Sequence, residues 1–309
     1  MKTLIVLLGP TGVGKTEVSL SLAKMLNCPI LNCDSRQLFK DITIGTAAPT
    51  PEQMQRVRHY FVGTLELDDY YSAAQYESDA LRLAEELFQT YDTLLLSGGS
   101  MMYIDAVCKG IDDIPTISEE IRQQVKERLE AEGLPALVEE LRLLDPEYHA
   151  IVDKKNTRRV VHALEICHMS GKTYTSFRTS RRKERPFRIL KVGLNRPREE
   201  LFCRINARVD QMMRDGLLDE VRRCLPYRHC NALNTVGYKE LLHVLDGDWQ
   251  QDMAVERIKK NTRVYAKKQL TWFQRDEHIT WFHPEDVDNI KQFIKLALQE
   301  SPQTLQMKG

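Results

Sequence analysis

The sequence predicts an α/β fold in which a P-loop parallel-sheet core carries a mostly helical inserted domain. Three observations indicate this fold. Short apolar runs alternate with helical patterns in the first third of the chain, a glycine-rich loop follows the first run, and a long strand-poor stretch interrupts the alternation. Alternating strands and helices are typical of parallel sheets covered by helices. The content of 42% hydrophobic and 28% charged residues is that of an ordinary globular protein.

The elements of the core can be placed in chain order. Residues 4–8 predict a buried strand, residues 15–26 a helix, and residues 29–33 a second strand. A helical stretch from about Ser72 leads to a further strand at 93–97. These strands end in the loops GPTGVGKT, DSRQ and GGS. Because open α/β sheets bind ligands at the carboxyl ends of their strands, the three loops are candidate binding segments.

The insertion is predicted from a change of pattern. Residues 118–170 are helical with charged faces, and a polar, Arg-rich connection follows at 176–188. A strand at 189–194 returns the chain to the sheet, and a late strand at 278–282 precedes a final helix. We therefore expect a catalytic core at 1–114 and 189–309 and a helical insertion at 115–188. The polar residues beyond about Glu300 are expected to be disordered.

Charge is distributed unevenly although the formal net charge is zero. Residues 154–208 contain 16 Lys and Arg against four Glu and no Asp, which leaves an excess of 12 acidic charges for the rest of the chain. This asymmetry fits a phosphate-binding face, and a solvated basic surface would look the same. Lys260, Arg263 and Lys267 share one helical face by their spacing and are open to the same two interpretations.

The cysteine pattern and the length of the apolar stretches indicate the cellular compartment of the protein. The seven cysteines form no C-x-x-C pair and no zinc-finger set, which favours reduced thiols in a cytosolic compartment. The first apolar run is too short for a signal peptide, and no stretch approaches the roughly 20 apolar residues that span a bilayer. We expect a soluble, cytoplasmic monomer with no membrane partner.

The run GPTGVGKT fits the P-loop pattern G-x-x-x-x-G-K-[ST] and lies between a predicted strand and a predicted helix. Its glycines let backbone N–H groups converge on phosphate oxygens at the helix N-terminus. Lys15 would reach the terminal phosphates, and the Thr16 hydroxyl would bind Mg²⁺. The alternative is a glycine-rich turn that binds nothing. The predicted phosphate-binding residues are Gly9, Pro10, Thr11, Gly12, Val13, Gly14, Lys15 and Thr16.

The sequence lacks the Walker-B aspartate that follows a strand in an ordinary nucleoside triphosphatase. The strand at 93–97 ends in Gly98, Gly99 and Ser100 rather than in an aspartate, which weakens a kinase or ATPase interpretation. The nearest acid after a strand is Asp34, which could be a general base, a Mg²⁺ ligand or a cap for the next turn. Arg36 and Gln37 beside it could contact a base edge or lie on the surface.

Together these motifs resemble the tRNA isopentenyltransferase family, and the resemblance covers nearly the whole chain. It rests on GPTGVGKT, DSRQLFKDITIGTAAPTPEQ, GGSMMYIDAV, NTRRVVHALEI, RINARVDQMMRDGLLDEV, TVGYKEL and NTRVYAKKQLTWF, in the order of the family. The last run is the most specific, because P-loop kinases have nothing like it.

The resemblance implies transfer of a dimethylallyl group from dimethylallyl diphosphate to N6 of an adenosine. That adenosine lies just 3′ of the anticodon in tRNAs that read codons beginning with U. By resemblance Asp34 is the base, Ser100 contacts the reacting groups, and Arg208 with Lys15 stabilises the leaving diphosphate. Mg²⁺ at Thr16 would neutralise that diphosphate.

The same resemblance implies that the chain binds the anticodon stem-loop of tRNA. The implied tRNA-binding residues are Asp34, Ser35, Arg36, Gln37, Ser100, Arg122, Arg158, Arg159, Val160, Val161, His162, Asn234, Thr235, Val236, Gly237, Tyr238 and Lys239.

The sequence departs from the family pattern at four positions. Ala47 stands where Lys is common, Met101 and Met102 replace a Gly-Leu pair, and His162 replaces an Arg. The alternatives are an adenylate isopentenyltransferase that modifies a free nucleotide, which the GGS loop resembles, a small-molecule P-loop kinase, and a non-catalytic RNA-binding module. The basic insertion, DSRQ and TRVYAKKQLTW favour tRNA.

Overall fold

The computed structural model describes residues 1–179 and 182–299, and a parallel sheet is its central element. The sheet has six strands in the order β3-β2-β4-β1-β5-β6, and every neighbouring pair is parallel. The strands are β1 Thr3–Leu8, β2 Ile30–Cys33, β3 His59–Tyr60, β4 Thr93–Gly98, β5 Arg188–Leu194 and β6 Ile279–Phe282. The predicted α/β class is confirmed, and the two-residue edge strand β3 is the one strand of this sheet that the pattern did not reveal.

Helices lie between and after these strands along the chain. They are α1 Lys15–Leu26, α2 Thr43–Thr46, α3 Pro51–Arg56, α4 Ala73–Leu87, α5 Met101–Lys109, α6 Glu119–Leu144, α7 Pro146–Ile151, α8 Thr157–Ser170, α9 Tyr174–Phe177, α10 Arg198–Arg214, α11 Leu217–Arg223, α12 Tyr238–Leu245, α13 Gln251–Phe273 and α14 Val287–Gln299. No helix within the described ranges is long and apolar enough to cross a membrane.

The central strand β1 is buried on both faces, as its unbroken apolar run predicts. Leu4, Val6 and Leu8 pack into one hydrophobic cluster, and Ile5 and Leu7 into the other. This alternation follows from the two-residue period of a strand. Each such side chain contributes roughly 1.5–3 kcal/mol of hydrophobic free energy.

The described chain divides into two compact units. One, the α/β unit, comprises Met1–Cys108 and the chain from Arg185 onward, and the other, the helical unit, is Lys109–Glu184. These limits begin and end a few residues earlier than the expected 115–188. The later limit has a physical reason: Arg185 is buried in the α/β unit, where it donates to Glu77 and to the Ala106 carbonyl, both at 2.7 Å.

The helical unit has its own hydrophobic core, built mainly by α6 and α8. Buried residues there include Val125, Leu137, Leu141, Val160 and Leu164. The α6 segment is broken at Gly133, whose φ of 79° is outside the helical range, and Pro135 follows two residues later. The sequence pattern predicts helix throughout 118–170 and does not mark this kink, although Gly133 and Pro135 are both residues that break helices.

Two sequence predictions lie outside the described residues. They are the expected disorder beyond about residue 300 and the part of the Arg-rich connection formed by Ser180 and Arg181.

Candidate active site

The P-loop connects β1 to α1 at the carboxyl edge of the sheet. Gly12 and Gly14 have φ values of 81° and 111°, a region that residues with a Cβ rarely adopt. Helix α1 begins at Lys15 directly after this turn, as predicted. The loop therefore has the backbone that places a helix N-terminus beside an anion.

Lys15 points back over the P-loop. Its ammonium donates to the carbonyl oxygens of Gly9 and Pro10, both at 2.9 Å. Burial lowers the pKa of Lys15 to about 8, while Asp34 opposes this shift and Arg208 adds to it. Three of the four predicted catalytic groups are thus close enough to interact electrostatically.

Helix α10 supplies two arginines to the same loop. Arg208 donates from Nη2 to Thr11 Oγ1 at 2.6 Å, and Arg204 donates from Nε to the Gly12 carbonyl at 3.2 Å. The Nε of Arg208 is buried and has no hydrogen-bond partner within the described part of the chain. Burial lowers the pKa of Arg208, but a guanidinium stays charged in proteins. This is a cation with an unused donor, which an anion could satisfy.

The loop after β4 packs tightly against the end of β2. A Cβ on Gly98 would collide with the Cys33 backbone, so glycine is required there. Ser100 is buried, and its hydroxyl accepts a hydrogen bond of 2.8 Å from the Ser35 N–H. This hydrogen bond therefore connects the loop after β4 to the DSRQ segment after β2.

Asp34 follows β2 directly and faces the P-loop. Its Oδ1 accepts from the Arg36 N–H at 2.9 Å, which closes a local turn. The turn-capping role considered for this residue is present. It coexists with a position at the cavity wall, so the capping bond does not remove the carboxylate from the site.

Two cavities of the α/β unit meet around Asp34. The phosphate cavity, of about 300 Å³, is lined by the P-loop, by Gly98 and Gly99, and by Arg204. The acceptor cavity, of about 390 Å³, is lined on the far side by Asn234 and Lys239. Residues that line both are Thr11, Asp34, Thr46, Arg208 and Tyr265. Both volumes lie within the range of small-molecule sites.

The segment Asn234 to Lys239 is divided between surface and core. Asn234, Thr235, Val236 and Lys239 line the acceptor cavity. Gly237 is buried, and the Tyr238 side chain is fully buried with its hydroxyl donating to Glu220. Tyr238 thus presents no side-chain surface to a ligand.

Arg36 and Gln37 are held by backbone carbonyls. Arg36 donates to the Asn231 carbonyl at 2.6 Å, and the Gln37 amide donates to the carbonyls of Thr46 and Ala47, both at 3.0 Å. The backbone of Ala47 is therefore part of the cavity wall, although the family's Lys side chain is absent.

In the helical unit, the predicted tRNA residues occupy the start of two helices. Arg158, Arg159 and His162 are exposed on α8, Val161 is partly buried, and Val160 is fully buried. Arg122 is partly buried in the first turn of α6. The exposed members of the α8 group share the first two turns of one helix.

The basic stretch at 154–208 is less exposed than its sequence suggests. Lys191 forms a buried ion pair with Asp276 at 2.6 Å, and the buried Arg196 pairs with Glu285 at 2.9 Å. Arg185 is likewise paired in the core. Some of the charge is therefore already paired with carboxylates within the α/β unit.

Three residues of the site escaped the sequence reasoning: Arg204, Tyr265 and Gln269. Gln269 is only 2% exposed, and it bonds both the P-loop and the Gly99 carbonyl. A signal was available, because Gln269 falls on the buried face of α13 with Thr262 and Ala266. A polar residue on a buried helical face is unusual. On the same helix, Lys267 and Arg263 lie near the Phe202 ring, and Lys260 is exposed.

Among residues 1–179 and 182–299, no group of three His, Cys, Asp or Glu could hold a metal ion. Thr16 is exposed at the start of α1 and lines the phosphate cavity. Its hydroxyl fits Mg²⁺ that takes its other ligands from phosphate oxygens and water, which is the usual pattern for this ion.

A parallel sheet with a P-loop, cations around that loop and a second cavity beside it is the arrangement of a P-loop enzyme with two adjoining ligand cavities. The chain belongs to the IPP transferase family, whose model matches residues 37–276. The family resemblance drawn from the sequence is thereby confirmed.

Several relatives are similar over almost their full length. A tRNA dimethylallyltransferase 1 of Phocaeicola vulgatus is 64% identical over 292 residues, covering 94% of this chain and 97% of the relative. A tRNA dimethylallyltransferase 1 of Bacteroides thetaiotaomicron is 62% identical, with 96% of each chain covered.

Two solved structures are also similar to this one over most of the chain. A tRNA isopentenylpyrophosphate transferase of Bacillus halodurans matches with a TM-score of 0.71 and 33% identity, covering 96% of each chain. A eukaryotic dimethylallyltransferase described as acting on tRNA matches with a TM-score of 0.76 and 26% identity, covering 88% of this chain and 70% of that one.

Proposed function

We propose that the protein transfers a dimethylallyl group from dimethylallyl diphosphate to N6 of the adenosine at tRNA position 37, releasing diphosphate. The observation that carries this proposal is the meeting of two cavities at Asp34 and Arg208. One cavity has the P-loop and cations that suit a diphosphate, and the other has amide and hydroxyl groups that suit a nucleoside. Family membership supports the same chemistry.

The groups suit a direct displacement. The bond between the allylic carbon and the diphosphate oxygen breaks, the N6–carbon bond forms, and the N6 proton passes to Asp34. Lys15 and Arg208 stabilise the charge that builds on the leaving diphosphate. Because their positions are fixed by hydrogen bonds to the P-loop, little reorganisation is required of them. Ser100, bonded to Ser35, holds the Asp34 segment in place.

Mg²⁺ is proposed as the cofactor, with Thr16 as its protein ligand. The ion supplies charge neutralisation to the diphosphate when bound. The described chain offers no acidic cluster that would hold Mg²⁺ by itself. We therefore expect metal binding to depend on the diphosphate.

tRNA is proposed to bind through two separate sets of residues. Asp34 to Gln37 and the cavity-lining residues of the segment 234–239 would take the extruded adenosine and its neighbours. Those residues are Asn234, Thr235, Val236 and Lys239. Arg122 and the exposed residues of α8, Arg158, Arg159 and His162, would contact phosphates. Extrusion of a base costs on the order of a few kcal/mol, which these contacts must offset. Since one α/β unit contributes every residue of both cavities, we propose that a monomer suffices.

The acceptor test uses labelled dimethylallyl diphosphate with unmodified tRNA, with AMP, or with no acceptor. We expect label on tRNA alone. Label on AMP and not on tRNA would instead establish an adenylate isopentenyltransferase. Phosphorylation from ATP without prenyl transfer would establish a kinase.

A further inference from the structure

The amide of Gln269 joins two loops that the proposed reaction uses. Its Oε1 accepts from the Thr11 N–H at 2.8 Å, and its Nε2 donates to the Gly99 carbonyl at 2.8 Å. Thr11 belongs to the P-loop, and Gly99 to the loop after β4. The two bonds use the opposite ends of one amide, so neither an acid nor a hydrocarbon of the same length can make both.

The surroundings of Gln269 leave it little freedom. The side chain is 2% exposed, and a Cβ on Gly99 would lie 2.6 Å from its Nε2 and 3.2 Å from the Gly9 carbonyl oxygen. The same position would be 3.5 Å from the Lys15 ammonium. Gly99 is thus the residue that allows helix α13 to approach the P-loop.

The chain of contacts continues to Arg208. The Thr11 N–H donates to Gln269, and the Thr11 hydroxyl accepts from Arg208. The Nε of Arg208 is the buried donor that lacks a partner within the described chain. A residue that fixes Thr11 therefore also fixes the direction in which Arg208 presents this donor.

We propose that Gln269 is a positioning residue for the leaving diphosphate, acting through Thr11 on Arg208. This inference rests on the proposed prenyl transfer. Helix α13 also carries Tyr265, which lines both cavities. Helix α13 therefore both bonds to the P-loop through Gln269 and borders the acceptor cavity through Tyr265.

The test is a double-substitution cycle read by the affinity for inorganic diphosphate. Gln269→Met keeps length but loses both hydrogen bonds, and Thr11→Val keeps shape but removes the hydroxyl that Arg208 contacts. Each single change should weaken diphosphate binding about tenfold, the effect of misdirecting one charged hydrogen bond. The double variant should lose little more than either single one, because both changes cut the same connection.

Losses that multiply in the double variant would overturn the proposal, as would diphosphate affinity and kcat that stay at wild-type values in Gln269→Met. Gln251→Met, at the exposed start of the same helix, is the matched control and should bind diphosphate normally.

If Gln269→Met fails to fold, Gln269→Glu carries the test, because its carboxylate still offers an acceptor to the Thr11 N–H. Loss of the donor to the Gly99 carbonyl should weaken diphosphate binding about tenfold and leave tRNA affinity unchanged. Wild-type diphosphate affinity in Gln269→Glu would overturn the proposal. Failure of prenyl transfer by the wild-type protein would count against the proposed function instead, since diphosphate binding can be measured without an acceptor.

Discussion

Asp34 illustrates how one residue serves both the backbone and the chemistry. One carboxylate oxygen closes the turn with the Arg36 N–H, and the residue borders both cavities. Asn can make the same turn bond but cannot accept a proton from N6. The two contributions of Asp34 are therefore separable by experiment.

We expect Asp34→Asn to lower kcat by roughly 10²–10⁴, the usual contribution of a general base, with unchanged tRNA affinity. Single-turnover prenylation and a tRNA binding titration measure the two effects. Asp41→Asn is the matched control, because Asp41 is exposed with a φ of 60° that Asn tolerates. Weaker tRNA binding with undiminished single-turnover rate would assign Asp34 to recognition alone.

Lys15 gives the site a dependence on pH. Its pKa is lowered by burial to about 8, so the ammonium is charged below that pH and loses its proton above it. We expect kcat/KM for dimethylallyl diphosphate to fall as pH rises through about 8. In Lys15→Arg, which stays charged, the fall should disappear although the rate is lower. A profile of kcat/KM for the wild-type protein that stays level well above pH 8 would refute this role.

The position of a site residue could be predicted from the sequence where that residue belongs to a known motif or directly follows a strand. Lys15, Thr16 and Asp34 follow strands and could be placed from the sequence alone. The partners of Gln269 and Arg204 could not, because they are backbone carbonyls and N–H groups more than 100 positions away. The buried face of α13 marks Gln269 as unusual, but no local pattern says which groups it contacts.

At the scale of elements, the segment 234–239 is anchored by a buried carboxylate. Glu220 of α11 accepts from the N–H groups of Ile44 and Gly45, at 2.8 and 3.0 Å, and from the Tyr238 hydroxyl. A Cβ on Gly45 would lie 2.6 Å from the Tyr238 hydroxyl. Glu220 thus joins helix α2, which borders both cavities, to the acceptor-side segment.

We expect Tyr238→Phe to destabilise the fold by about 1–3 kcal/mol, because it leaves buried Glu220 short of a donor. Its effect on tRNA affinity should be small, since the side chain is fully buried. Urea unfolding and tRNA titration separate the two quantities, with the exposed Tyr227→Phe as control. If stability held while tRNA affinity fell strongly, Tyr238 would be a direct contact after all.

Elements themselves were predictable to within about one residue where apolar runs are clear. Helix α1 and strand β5 lie where the pattern put them. The break at Gly133 and the short strand β3 were missed. A two-residue edge strand has too few positions to show a period. The break at Gly133 and Pro135 was missed because helical patterns continue on both sides of it.

Across the whole molecule, charge is divided between paired and exposed groups. Arg185, Lys191 and Arg196 are paired with carboxylates within the α/β unit. The exposed Arg158 and Arg159 lie in the helical unit. The number of basic residues could be counted from the sequence. Which of them are buried and paired could not, since burial depends on neighbours distant in sequence.

We expect Arg158→Ala combined with Arg159→Ala to weaken tRNA binding. The slope of log affinity against log salt should decrease by about 1.4–1.8, the value for two lost phosphate contacts. Lys24→Ala with Lys295→Ala removes equal charge from exposed sites on α1 and α14 and is the control. An unchanged slope in the arginine variant would remove this face from the interface.

The proposed activity is tested most directly by single-turnover transfer of labelled dimethylallyl to a tRNA transcript that reads a codon beginning with U. We expect label on the transcript with adenosine at position 37, and none on AMP or on a transcript with guanosine there. Label on AMP, or on the guanosine transcript to the same extent, would contradict it.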